Sequence, residues 1–129
     1  MNKIIVCGSR GFTDYNFVKR YLDKLLMNLP RDKYHLEIVS GHCPNSPDVL
    51  AEKYAKEELG FEVNKGLKLF PANWEKYKKS GGHFRNVDMA HYGTHCVAFN
   101  AGTDGTKDML DQARLRGLVI REIEVEIKK

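Results

Sequence analysis

Residues 100–106, Asn100-Ala101-Gly102-Thr103-Asp104-Gly105-Thr106, set glycines and hydroxyls between an apolar run and a helix-like run. Anion binding is the chemistry such a segment supports. The first turn of a helix has unpaired N–H groups and a partial positive charge, and glycine lets a phosphate approach the backbone. Two more glycine turns follow apolar runs: Gly8-Ser9-Arg10-Gly11-Phe12-Thr13-Asp14 and Ser40-Gly41-His42-Cys43. Arg10 brings a planar fork of donors suited to phosphate or carboxylate. Arg85-Asn86 opens a further helical pattern. Trp74, the single tryptophan, has two readings, stacking on a base or packing its loop onto the core.

Other chemistries find less support. His42-Cys43, His91 and His95-Cys96 lack the usual zinc spacing, so no metal is expected. Cys7 and Cys96 fall within strand patterns, where cysteine behaves as a small core residue. The stretch 65–85 carries a lysine cluster, Lys76, Lys78 and Lys79, among Phe70, Trp74, Tyr77 and Phe84. It reads either as a solvated face or as a surface for single-stranded nucleic acid.

These residues need a scaffold that gathers them. Residues 3–7 form a β-branched run that stops at Gly8, a buried-strand pattern. Thr13 or Asp14 can cap a helix whose apolar positions run from Phe17 to Leu29, with Pro30 beyond. A second strand at 36–40 precedes Ser46-Pro47, an N-cap and first-turn proline pair, and a helix to Leu59 stopped by Gly60. A third strand lies within 61–70. Residues 71–82 read as a short helix plus loop, 85–92 as a helix, 95–100 as a fourth strand and 118–125 as a last strand. Residues 121–127 alternate charged and apolar side chains, as an edge strand with one wet face does.

Such alternation predicts a Rossmann-like α/β domain over 1–129, with an open, mostly parallel sheet of about five strands and helices on both faces. Ligands of such sheets bind beyond the C-terminal ends of the strands, where all three glycine turns fall. The chain has 129 residues, 42% of them hydrophobic, which suits one core of ordinary size. No apolar run is long enough to span a membrane, and no leader pattern precedes the first strand. Three cysteines without a Cys-x-x-Cys pair do not suggest a disulfide scaffold, so a cytoplasmic location is expected. A net charge of +4 favours anions weakly and does not by itself imply nucleic acid.

Taken in order, the blocks resemble a known family. Gly8-Ser9-Arg10 with Phe12 and Asp14, then Ser40-Gly41 with Asp48 and Leu50-Ala51, are similar to the start of the SLOG superfamily, and more narrowly to its small stand-alone YspA-like members. The segment 70–74, Gly81-Gly82 and Arg85-Asn86 with Met89 resemble that subgroup's central signature. Ala98-Phe99, Gly102, Gly105-Thr106 and Asp108-Met109 resemble its last block. The resemblance implies a Rossmann-like fold and a pocket for a nucleotide-derived, ADP-ribose-like ligand. It implies no separate cofactor, a homo-oligomer, and a setting in anti-phage signalling or phage counter-defence. Carried over residue by residue, ligand contacts fall on Gly8, Ser9, Arg10, Gly41, Arg85, Asn86, Gly102, Gly105 and Thr106, and Trp74 is added as a stacking candidate.

One departure bears on activity. The superfamily's phosphoribohydrolases carry a catalytic glutamate in the last block, where this chain has Met109. A thioether cannot transfer a proton. Asp108 is one residue early, about 100° away around a helix. The expected function is therefore binding of a phosphate-bearing nucleotide derivative by a sensor, carrier or scavenger. The alternative is a nucleotide hydrolase whose carboxylate is Asp14, Asp48, Asp104 or Asp108. Nucleic-acid binding through 65–85 is the third reading.

Overall fold

The computed structural model describes residues 1–127. Six strands form one sheet: β1 (Asn2–Gly8), β2 (Leu36–Ser40), β3 (Glu62–Val63), β4 (Gly66–Leu69), β5 (His95–Asn100) and β6 (Val119–Glu124). Their order is β3-β4-β2-β1-β5-β6, and every strand pairing is parallel. The chain winds outward from β1 to β2 and β4, then returns to lay β5 on the other side of β1. Loops after β1 and β5 therefore leave in opposite directions, and a crevice opens between them.

The helices are α1 (Tyr15–Leu25), α2 (Pro47–Glu57), α3 (Trp74–Tyr77), α4 (Gly81–Tyr92) and α5 (Asp104–Leu115). Alternation along the strands sorts them into two layers. Ile4, Val6, Ile38, Val97 and Phe99 meet Val18 and Leu22 of α1 and Ala51 and Tyr54 of α2. Ile5, Cys7, Val39, Cys96 and Ala98 meet Met89 and Ala90 of α4 and Met109, Leu110 and Ala113 of α5. Such strands, buried on both faces, read in sequence as continuous apolar runs.

Local signals act where their chemistry predicts. Asp14, not Thr13, caps α1 by accepting from the Phe17 N–H at 3.1 Å. Ser46 accepts from the Asp48 N–H at 3.1 Å, with Pro47 as the first helical residue. α1 stops at Leu25 rather than near Leu29 because Leu26 to Leu29 turn back on themselves, Leu29 N–H donating to Leu26 O at 3.1 Å.

The sheet has six strands instead of about five because 61–70 divides. Asn64 takes a left-handed conformation (φ 65°), and Gly66 (φ 95°) packs so tightly on the Phe61 ring that a Cβ would fall 2.4 Å from it. The chain folds back there and yields β3 and β4. α4 begins at Gly81 rather than Arg85, following α3 and one 3-10 turn at 78–80. The Trp74 ring lies on Gly81, where a Cβ would stand 2.9 Å from Cε3, so the first residue of α4 must be small. β6 is an edge strand, and Val125 N–H donates to Asn100 O at 3.0 Å just past its end. Among the described residues no helix is long and apolar enough to cross a membrane.

Candidate functional site

The crevice between β1 and β5 is built on Ser9. Its N–H donates to Phe99 O at 2.9 Å, and its Oγ accepts from the Ala101 N–H at 2.8 Å. The same oxygen lies 2.8 Å from Thr103 Oγ1 and 3.3 Å from Thr106 Oγ1, and the two threonine oxygens are 3.0 Å apart. This triangle fastens the first turn of α5 to the end of β1. It also diverts Thr103: the residue in the N-cap position of α5 makes no side-chain cap bond. The N–H groups ahead of Lys107 are thus left without the usual hydroxyl acceptor. Gly105 has open space where a Cβ would point.

A cleft of about 160 Å³ opens at this turn. Gly8, Arg10, Gly105 and Thr106 line one side, Arg85 and Asn86 another, and Cys43 with Asp48 a third. Its floor is Cys7, Met89 and Met109. Met109 is buried and lines the cleft, so an apolar thioether forms its floor at the position where the family resemblance would place a hydrolase's glutamate.

Arg85 crosses from α4 to the end of β2. Its Nη1 donates to Gly41 O at 2.6 Å and its Nε to Asn86 Oδ1 at 3.0 Å. Gly41 leaves room for this crossing: a Cβ would sit 2.7 Å from Arg85 Nη1 and 2.9 Å from Asp48 Oδ2. Asp48 is buried, and Oδ2 accepts from the Cys43 N–H at 3.2 Å. Desolvation raises its pKa to about 6, against the pull of the Arg85 charge. Asn86 passes the connection on, its Nδ2 donating to Asp108 Oδ2 at 2.9 Å and lying 3.4 Å from Gly105 O.

Of the residues singled out in the sequence, Gly8, Arg10, Arg85, Asn86, Gly105 and Thr106 meet around the cleft. Ser9 is buried behind the rim as its brace, and Gly41 is buried beneath Arg85. Gly8 has a second constraint, because a Cβ there would lie 2.5 Å from Phe99 O and from Pro47 Cγ. Gly102 (φ 92°) shapes the loop and stays exposed outside the cleft. Trp74 is 57% exposed, with one face over Gly81 and Gly82, and does not line the cleft.

The four carboxylates separate. Asp14 is occupied as a helix cap, and Asp104 is exposed on the first turn of α5. Asp108 is held between Asn86 and His83 Nδ1, the latter at 2.9 Å, so it ties α4 to α5. Asp48 alone of the four lines the cleft.

Cys43, weighed in the sequence as a turn residue and a metal candidate, and Met89, read there as part of the family's central signature, also line the cleft, as does Cys7, read there only as core. The Cys7 thiol is raised well above its ordinary range, first by its contact with Cys96 Sγ at 3.9 Å and then by burial, which makes it a weak nucleophile. A second network had no sequence signal. Ser40 Oγ donates to Glu52 Oε2 at 2.7 Å, and His42 Nδ1 lies 2.9 Å from the same oxygen. His42 adopts a left-handed backbone (φ 59°) and folds its ring onto this buried carboxylate. Among the described residues no group of three His, Cys, Asp or Glu side chains is placed to hold a metal.

An all-parallel sheet with its crevice at the β1/β5 reversal defines a Rossmann-like α/β protein. The family model for YAcAr, described as the YspA, cpYpsA-related SLOG family, matches residues 2–77, and the chain belongs to that family. At the family level this points to a nucleotide-related ligand. A protein of Mycobacterium phage D29, "Gene 61 protein", is 31% identical over 124 residues, covering 93% of this chain and 94% of its own. No solved structure matches the chain significantly.

Proposed function

We propose that the protein binds a phosphate-bearing, nucleotide-derived small molecule as a sensor, carrier or scavenger. The observation that carries this reading is the first turn of α5. It lacks a side-chain cap, has open space at Gly105 and faces a cleft lined by Arg10 and Arg85. Phosphate oxygens there would accept from backbone N–H groups, the Thr106 hydroxyl and two guanidinium groups. The cleft, about 160 Å³, is smaller than the roughly 300–1,000 Å³ of most small-molecule sites. It suits the phosphate end, and the rest of the ligand would lie across the rim, where the outer face of Trp74 offers a stacking surface.

Isothermal titration against ADP-ribose, cyclic nucleotides and nucleoside monophosphates tests this reading. A ligand that binds should lose about 10- to 100-fold in affinity on Arg85→Ala and on Thr106→Val, as expected for charge-assisted and cleft-facing hydrogen bonds. Unchanged affinity in Arg10→Ala, Arg85→Ala and Thr106→Val would remove the proposed site.

One observation favours a second reading, nucleotide hydrolysis. Asp48 is a buried acid in the cleft whose pKa of about 6 leaves a protonated fraction near neutrality. Such a group can donate a proton to a departing base. Release of free base from a nucleoside monophosphate, abolished by Asp48→Asn, is the expected result. Intact nucleotides after prolonged incubation dismiss it.

A further inference from the structure

Asp48 is a buried acid without an ion-pair partner. It stands in the first turn of α2 and is only 4% exposed, yet it lines the cleft. Arg85 comes close to it. A Cβ at Gly41 would lie 2.9 Å from Asp48 Oδ2 and 2.7 Å from Arg85 Nη1, so the two groups flank one point. They do not pair, because Arg85 directs Nη1 to Gly41 O and Nε to Asn86 Oδ1. Among the described residues no carboxylate lies within ion-pair reach of Arg85 or Arg10. The cleft therefore holds two guanidinium groups free of carboxylate partners and one acid that neither of them neutralises.

The charge of such an acid depends on what enters beside it. Burial is the main influence on the Asp48 carboxyl and raises its pKa to about 6. The Arg85 charge is the largest of the influences that hold it down. The other ionisable groups around it are Cys7 of β1, Arg10 of the loop after β1, Cys43 of the loop after β2 and Glu52 one turn on along α2. Glu52 pushes Asp48 up and is itself held by Ser40 and His42. α5 lines the cleft with Gly105, Thr106 and Met109 and adds no ionisable group there. An anion that settles on Arg85 and Arg10 offsets the guanidinium charge and brings negative charge beside the carboxyl. Both changes favour the protonated acid. By reciprocity, a proton on Asp48 favours the anion.

We propose that Asp48 takes up a proton from solvent when a phosphate-bearing ligand enters this cleft, so that anion and proton bind together. This rests on the ligand reading above and adds its regulation, an occupancy that rises with acidity. One proton converts the Asp48 carboxylate to the neutral acid, and no covalent bond of the ligand changes. Affinity is greatest in acid, where the free protein already holds the proton. It declines as pH rises above the point at which the free carboxyl ionises.

Isothermal titration with ADP-ribose, cyclic nucleotides and nucleoside monophosphates tests it, run at about pH 5.5, about pH 7 and about pH 7.5 in two buffers of different ionisation enthalpy. A ligand that binds should be held about 5-fold or more weaker at the highest pH, with roughly half a proton or more taken up per site near neutrality. In Asp48→Asn, confirmed as folded by circular dichroism, both effects should vanish apart from titration of the ligand's own phosphate. His42→Gln should keep both, since that imidazole faces Glu52. In the wild type, carbon-13 NMR should show the Asp48 carboxyl titrating at higher pH with ligand than without. Binding without proton uptake, uptake that survives Asp48→Asn or is lost in His42→Gln, or an Asp48 titration unmoved by ligand would each overturn this inference and leave the ligand reading standing. No binding by any of these ligands at about pH 5.5, where the site should be strongest, would overturn the ligand reading and this inference with it.

Discussion

Asp48 and Gly105 show how single residues in the cleft trade stability against binding. The Asp48 carboxyl is raised from 3.8 to about 6 by burial, so the folded protein holds its proton more tightly than the unfolded chain. A raised acid of this kind adds no penalty below pH 4 and destabilises the native state as pH climbs through 6. The difference corresponds to about 3 kcal/mol at most. Urea titrations of the ligand-free protein should show stability falling across that window, and Asp48→Asn should flatten the fall. Identical profiles for the two proteins would contradict the assigned environment. Gly105→Ala separates fold from site. The added methyl meets open space and replaces a poor helix former, so stability should rise by about 0.5–1 kcal/mol. The same methyl projects into the region proposed for phosphate, so affinity should drop. A variant that binds as well as the wild type would place the ligand elsewhere. At this scale the placement of Arg10 and Thr106 at the cleft was legible in the sequence from their positions after a strand and at a helix start, and that of Arg85 from the resemblance of its block to the family's central signature. Asp48 appeared there as part of a family block and as one candidate carboxylate among four, because burial is what distinguishes it.

At the level of elements, the site depends on how α4 and α5 are held. Asn86 accepts from Arg85 Nε and donates to Asp108, and Asp108 meets His83. One buried amide therefore orients the guanidinium and joins the two helices. Asn86→Ala should cost about 1–3 kcal/mol in chemical unfolding, the usual range for leaving buried partners unmet. It should also weaken ligand affinity by freeing Arg85. A stability loss without an affinity change would show that Arg85 needs no such support. The helical spacing of Val87, Met89 and Ala90 made α4 readable, but its start at Gly81 was not. That start depends on Trp74 lying over Gly81, a contact between neighbouring short elements that no periodicity encodes. The division of 61–70 into β3 and β4 escaped for a similar reason, since it depends on the Phe61 ring against Gly66.

Over the whole molecule, the sheet order decides where stability and openness lie. β1, β2 and β5 sit inside the sheet with both faces buried, whereas β3 is two exposed residues at one edge and β6 forms the other edge. Native-state hydrogen exchange should therefore grade from slow in β1, β2 and β5 to fast in β3 and α3, following burial. Uniform protection across the sheet would contradict this. The alternating charges of 121–127 announced an edge strand. They did not announce that Ile123, Val125 and Ile127 stay only partly buried against the core, because that depends on which strands the helices choose to cover.

The sequence by itself determined the order and type of the main elements, a cap at Thr13 or Asp14 and one at Ser46, the glycine turns and the absence of glutamate at Met109. All of these follow from short-range rules: hydrophobic period, backbone freedom and cap chemistry act within a few residues. Only the tertiary structure decided that the first turn of α5 lacks its cap, because the Thr103 hydroxyl is spent on Ser9, 94 residues away. It alone placed Arg85 over Gly41 and Asp48, sent Asp108 to the α4–α5 junction and left Ile123, Val125 and Ile127 only partly buried against the core. Each of those outcomes turns on which of several possible partners a polar or apolar group meets, and that choice is made when the β1/β5 reversal brings distant segments together.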